Sequence, residues 1–156
     1  MRKIAIMNQK GGTAKTTTTV NIAAALAELS KRVLILDLDP QANTSSWFGI
    51  KDSEGKLYDT FINNGNLVSI VSKTNVEGVD LIPSSPWMVA VERALFEKEA
   101  AETMLAKLVS ALPTSKWDFL FIDCPPTLGF LSLSALVASQ EVLVPVQTQV
   151  MPLEGL

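Results

Sequence analysis

Asn8-Gln9-Lys10-Gly11-Gly12-Thr13-Ala14-Lys15-Thr16-Thr17-Thr18 lies between two segments of different periodicity. Before it runs Ile4-Ala5-Ile6-Met7, which is apolar and strand-length. After it, Val20, Ile22, Ala23, Ala24, Leu26, Ala27 and Leu29 fit a helix. A strand, a glycine-bearing loop and a helix start together make an anion site. Successive backbone N–H groups converge there, and the helix dipole favours negative charge. Gly11 and Gly12 let the main chain approach a phosphate closely. Lys15 can reach terminal phosphates and the Thr16 hydroxyl can ligate Mg²⁺. Thr17 and the backbone from Gly12 through Thr13, Ala14 and Lys15 to Thr16 supply the remaining contacts to phosphate oxygens. The general Gly-x-x-x-x-Gly-Lys-[Ser/Thr] pattern does not fit, because its glycine positions fall on Gln9 and Ala14. What fits is Lys-Gly-Gly-x-x-Lys-Thr, opened by a second lysine, Lys10. The bland reading is a glycine turn with chance lysines.

Bulk properties narrow the class. The chain has 156 residues, enough for one domain with a substantial core. It is 47% hydrophobic and 19% charged, a globular composition. The apolar runs are strand-length, so no transmembrane span is expected. The start, Met1-Arg2-Lys3, lacks the features of a secretory signal. These features point to a cytoplasmic protein. The lone Cys124 excludes an internal disulfide and a thiol-ligated cluster, and the absence of histidine excludes histidine acid–base catalysis. A net charge of −3 gives no electrostatic case for nucleic acid.

Further along, apolar runs alternate with helical patterns. Val33-Leu34-Ile35-Leu36, Val79 to Pro83, Phe119-Leu120-Phe121-Ile122 and Val142 to Val146 read as buried strands. Helices are expected over Leu57 to Ile62, Leu131 to Ala138, and one long stretch from Trp87 to Leu112. On the long stretch Val91, Leu95, Leu105, Leu108 and Leu112 face the core, and Glu97, Lys98, Glu99 and Glu102 face solvent. Asn63 to Asn66 and Glu77-Gly78 read as turns. This alternation predicts an α/β fold with a mainly parallel sheet flanked by helices, its ligand lying at the carboxyl ends of the strands.

Two acidic positions follow strands. Leu36-Asp37-Leu38-Asp39-Pro40-Gln41-Ala42-Asn43 places two carboxylates where Pro40 breaks the strand's alternation. Such carboxylates can hold metal-bound water or orient an attacking water. The bland reading is an acidic turn before a helix. Phe119 to Asp123, followed by Cys124-Pro125-Pro126-Thr127-Leu128-Gly129, is a Walker B arrangement in which a buried strand carries Asp123 to a Mg²⁺ site. Cys124 reads as a small packed residue.

These motifs resemble the ParA/MinD superfamily of deviant Walker ATPases, with the ParA (Soj-like) partition ATPases the nearer side. The shared elements are the two-lysine loop, Asp-x-Asp-Pro-Gln-x-Asn, Asp-x-Pro-Pro-x-Leu-Gly and the Val142 to Gln147 and Leu153 to Leu156 segments. The resemblance covers residues 1–156 as one deviant Walker P-loop ATPase domain, the N-terminal portion of a fold that continues in family members. It implies slow Mg²⁺-dependent ATP hydrolysis, with ATP/ADP and Mg²⁺ as cofactors and a role in plasmid or chromosome partitioning. Asp39 would position water, Asp37 would sit in the Mg²⁺ environment with Thr16 and Asp123, and Lys10 would reach a partner's nucleotide. Partners implied are a second copy in a nucleotide-sandwich homodimer and a ParB-like centromere-binding protein. Nucleoid DNA would be bound only through sequence beyond residue 156. A MinD-like division-site regulator, and a nucleotide-binding module without turnover, remain alternatives. Ala14 departs from the family's usual glycine. It is tolerable at negative φ and costs about 1 kcal/mol or more at positive φ, with tolerance the expectation.

Overall fold

The computed structural model describes residues 1–95 and 98–147. Strands β1 (Arg2–Ile6), β2 (Val33–Asp37), β3 (Ser72–Lys73), β4 (Val79–Ile82), β5 (Phe119–Asp123) and β6 (Glu141–Leu143) form one sheet in the order β3-β4-β2-β5-β1-β6. The pairings are parallel except at the edge, where β3 runs antiparallel to β4. Helices α1 (Lys15–Glu28), α2 (Asn43–Trp47), α3 (Lys56–Ile62), α4 (Val89–Leu95), α5 (Met104–Ser110) and α6 (Phe130–Ala138) cover it.

Side chains two apart along a strand share a face, and this divides the core. Val33, Ile35, Phe121 and Ile6 pack with Ala23 of α1 on one face. Leu34, Leu36, Leu120, Ile122 and Ala5 pack on the other with Leu57, Leu95, Leu105 and Ala135. Because both faces are covered, β2 is buried throughout its length.

The fold class agrees with the sequence reading, but the long helix does not. Trp87 to Leu112 is two short helices, α4 and α5, with single 3₁₀ turns at Pro86–Met88 and Ala101–Thr103. Ala100 takes a left-handed φ of 53°, a conformation that ends a right-handed helix. Val91, Leu95, Leu105, Leu108 and Leu112 are still all buried, so the apolar set was right and its continuity wrong. The strand expected over Val142 to Val146 is formed by Glu141–Leu143. The two-residue β3 and five-residue α2 are too short to leave a periodic pattern. Glu97 and Leu153 to Leu156 lie outside the described residues.

Register sets the site. Ile6 and Asp37 both stand opposite Asp123 on the central strand β5. The loops after β1, β2 and β5 therefore leave the sheet at one level. The crossover through α1 lies on one face and α6 on the other, so a crevice opens where the chain changes direction.

Candidate functional site: an uncapped helix start beside a buried carboxylate

α1 begins without a protein cap. Ala14 precedes it with φ 63°, no side chain caps it, and its first turn carries no acidic residue. Its first helical bond runs from Thr18 N to Ala14 O. The N–H groups of Lys15, Thr16 and Thr17 thus find no acceptor among the described residues. Unpaired donors at a positive dipole end are an anion site. The loop before it is braced from within. The Lys10 N–H donates to Asn8 Oδ1 (2.9 Å), and Asn8 Nδ2 donates to Pro145 O (3.0 Å). Thr13 Oγ1 donates to Lys10 O (3.0 Å), and Gln147 Nε2 donates to Gly12 O (3.1 Å). Gly12 has φ 77°, a left-handed turn suited to glycine.

Ala14 is left-handed too, so the negative-φ condition for free tolerance is not met. The methyl group carries a strain of about 1 kcal/mol.

Lys15 is buried, and its ammonium reaches back to the Lys10 carbonyl at 3.5 Å. Gly11 to Thr17 line a cleft of about 530 Å³ together with Asp39, Gln41, Asn43, Trp47 and Pro126. The residues from Gly11 to Thr17 expected to contact phosphate thus line one cleft together with Asp39. Lys10 is half-buried and is not among the lining residues. No acidic group among the described residues pairs with it.

The two acidic positions behave differently. Asp37 is fully buried and its carboxylate is filled by protein donors. Oδ1 accepts from Asp39 N (3.1 Å), and Oδ2 accepts from Ser45 N (2.9 Å) and Ser45 Oγ (2.7 Å). It therefore closes the loop from residue 39 to residue 45. Burial pushes its carboxyl up to about 7, opposed by Ser45's hydroxyl and reinforced by neighbouring Asp123. Asp39 accepts from Gln41 N through Oδ1 (2.9 Å) and is nearly buried at the cleft wall.

Asp123 accepts the Thr16 hydroxyl (3.0 Å) and the Thr44 hydroxyl (2.5 Å), both on Oδ2. Its Oδ1 is buried and has no donor among the described residues. Burial raises its carboxyl, against the pull of those two hydroxyls. A buried carboxylate oxygen lacking a partner, beside a threonine hydroxyl at a phosphate loop, fits a hard cation with oxygen ligands. Among the described residues no cluster of three His, Cys, Asp or Glu occurs. Mg²⁺ uses one or two carboxylates and completes its shell with phosphate and water. Cys124 is buried, its thiol pushed up by that burial, as a packed residue should be.

Thr44 and Ser45 were missed from sequence. The available signal was the hydroxyl run Thr44-Ser45-Ser46 directly after the acidic motif, which reads equally as a helix start.

This arrangement defines a P-loop nucleotide-binding domain, in which a parallel sheet presents an uncapped helix start to phosphate. Residues 1–156 match the AAA_31 family, an AAA domain, and the chain belongs to that family. It is 43% identical to the sporulation initiation inhibitor protein Soj of Bacillus subtilis, covering 98% of this chain and 61% of that one. It is 41% identical to the chromosome-partitioning ATPase Soj of Thermus thermophilus, covering 99% and 58%. The structure of cobyrinic acid a,c-diamide synthase from Mycobacterium smegmatis, with bound ATP analog and magnesium, superposes with a TM-score of 0.90 at 34% identity. That match covers 97% of this chain and 62% of the other. The chain thus spans about six tenths of the length of the curated relatives it matches.

Proposed function

We propose that this chain is the nucleotide-binding portion of a Mg²⁺-dependent ATPase of the ParA/Soj type, acting in chromosome or plasmid partitioning. The observation that carries the reading is Asp123 Oδ1, buried without a donor beside Thr16 at the start of an uncapped helix. Lys15 and the N–H groups from Gly12 to Thr16 hold the phosphates of ATP or ADP, with Gly11 keeping the approach open and Thr17 adding its hydroxyl. Thr16 and Asp123 hold Mg²⁺, which would neutralise phosphate charge when bound. Asp39, which lines the same cleft, orients the attacking water, and positioning of this kind is most of what phosphoryl transfer requires. Asp37, its own oxygens filled by Asp39 and Ser45, contributes by holding the Asp39 loop in place. Lys10, which is not among the residues lining the cleft, serves a partner's nucleotide in a homodimer.

The names of the Soj relatives favour partition over division-site regulation. That role further takes a ParB-like stimulating protein, non-specific DNA contact only where the C-terminal part of the family fold is present, and a cytoplasmic location, on the nucleoid for a full-length protein. No helix among the described residues is long and apolar enough to cross a membrane. The test is calorimetric titration with ATP and ADP, with and without Mg²⁺, followed by phosphate release. Absence of Mg²⁺-dependent nucleotide binding at millimolar concentration defeats the reading.

A further inference from the structure

We infer that Thr44 is a positioning residue of the magnesium site and ties that site to the loop carrying Asp39. This rests on the nucleotide reading above. Thr44 is fully buried in α2, away from the phosphate loop in sequence. Its hydroxyl has a single proton, and the structure gives it to Asp123 Oδ2 at 2.5 Å. Thr16, at the start of α1, donates to the same oxygen (3.0 Å). With both hydroxyls on Oδ2, the carboxylate is fixed in rotation and Oδ1 is left as its open acceptor. Hydrogen bonds that orient a ligating carboxylate act on metal affinity almost as the ligand does.

The second half of the role comes from the next residue. Ser45 donates to Asp37 through both N–H and hydroxyl, and Asp37 in turn accepts the N–H of Asp39. Ser45 Oγ also accepts from Ser84 N (2.9 Å), which anchors the circuit to the end of β4. Asp123, Thr44, Ser45, Asp37 and Asp39 are therefore linked without a gap by hydrogen bonds and one peptide bond. A shift of the Asp123 carboxylate is transmitted to the residue assigned to water. Thr44 makes the setting of the cation and the setting of Asp39 one event.

Thr44→Val keeps the shape of the side chain and removes the donor, while Thr44→Ser keeps the donor. The readout is the Mg²⁺ concentration at half-saturation for the protein–ADP complex, by calorimetry. Nucleotide affinity in EDTA and the melting temperature serve as companions. Thr44→Val should raise the Mg²⁺ midpoint about tenfold or more with ADP affinity in EDTA unchanged, and Thr44→Ser should restore it. A residue that only seats α2 would lower the melting temperature and leave the midpoint where it was, and that result overturns the inference. If Thr44→Val does not fold, Thr44→Ala replaces it under the same criterion. A parent protein whose ADP binding ignores Mg²⁺ also overturns the inference, whereas one that binds no ADP with or without Mg²⁺ refutes the nucleotide reading itself, a separate result.

Discussion

Asp37 and Asp123 stand opposite one another at the ends of β2 and β5, both buried and both with carboxyls raised above their ordinary range. Only Asp123 keeps an oxygen without a donor. Neighbouring carboxylates in low dielectric make the ligand-free protein carry charge at a cost, and a cation relieves it.

The pH dependence follows from Asp37. Its folded carboxyl titrates at about 7, above its value in an unfolded chain. Between about pH 4 and pH 7 the folded form holds a proton the unfolded form has released, so stability falls as pH rises through that window. Thermal melts in EDTA should show a lower transition at pH 8 than at pH 5.5. Asp37→Asn, whatever its absolute stability, should flatten the slope. A slope unchanged by that substitution removes Asp37 as its source.

Lys15→Ala should abolish nucleotide binding, since it removes the buried ammonium of the phosphate loop. Asp39→Ala should leave ATP affinity within a few-fold and suppress hydrolysis by about 100-fold or more, the scale of a lost proton-handling group. Calorimetry paired with phosphate release separates the two. Equal binding loss in both variants would refute separate roles.

For Lys10, the expected phenotype is a protein that binds ATP normally and does not dimerise. Its side chain is not part of the cleft that Gly11 to Thr17 line, so Lys10→Ala leaves that cleft complete. Sedimentation with ATP is the measurement. A variant that dimerises like the parent refutes the action of Lys10 across an interface.

Ala14→Gly relieves a left-handed alanine at φ 63° and loosens the unfolded chain. The two effects oppose, leaving a net stabilisation of about 1 kcal/mol or less. ATP affinity should change by less than tenfold. A rise of several orders of magnitude would mean that the loop of the parent is misformed.

The strands and the phosphate loop were legible because each is written in consecutive residues: four apolar positions, then glycines or an aspartate. Lys15, Asp39 and Asp123 could be named for the same reason. The break at Ala100 was not legible, because alanine favours helix and yet takes a left-handed φ there. Nor was the use of Thr44 and Ser45. Which carboxylate a hydroxyl joins depends on the register of β2 against β5, a relation between residues distant in sequence.

The Trp47 indole lines the cleft of Gly11 to Thr17 and is more than half exposed. Trp117 is sealed in the core, and Trp87 lies on the surface outside that cleft. The protein thus carries its own optical probe. With Trp87→Phe as background, the exposed part of the emission comes from Trp47 alone, while Trp117 supplies a fixed blue-shifted component. Filling the cleft should quench or blue-shift the red edge of the spectrum. Stopped-flow mixing would then give the rates of nucleotide entry and departure on unlabelled protein.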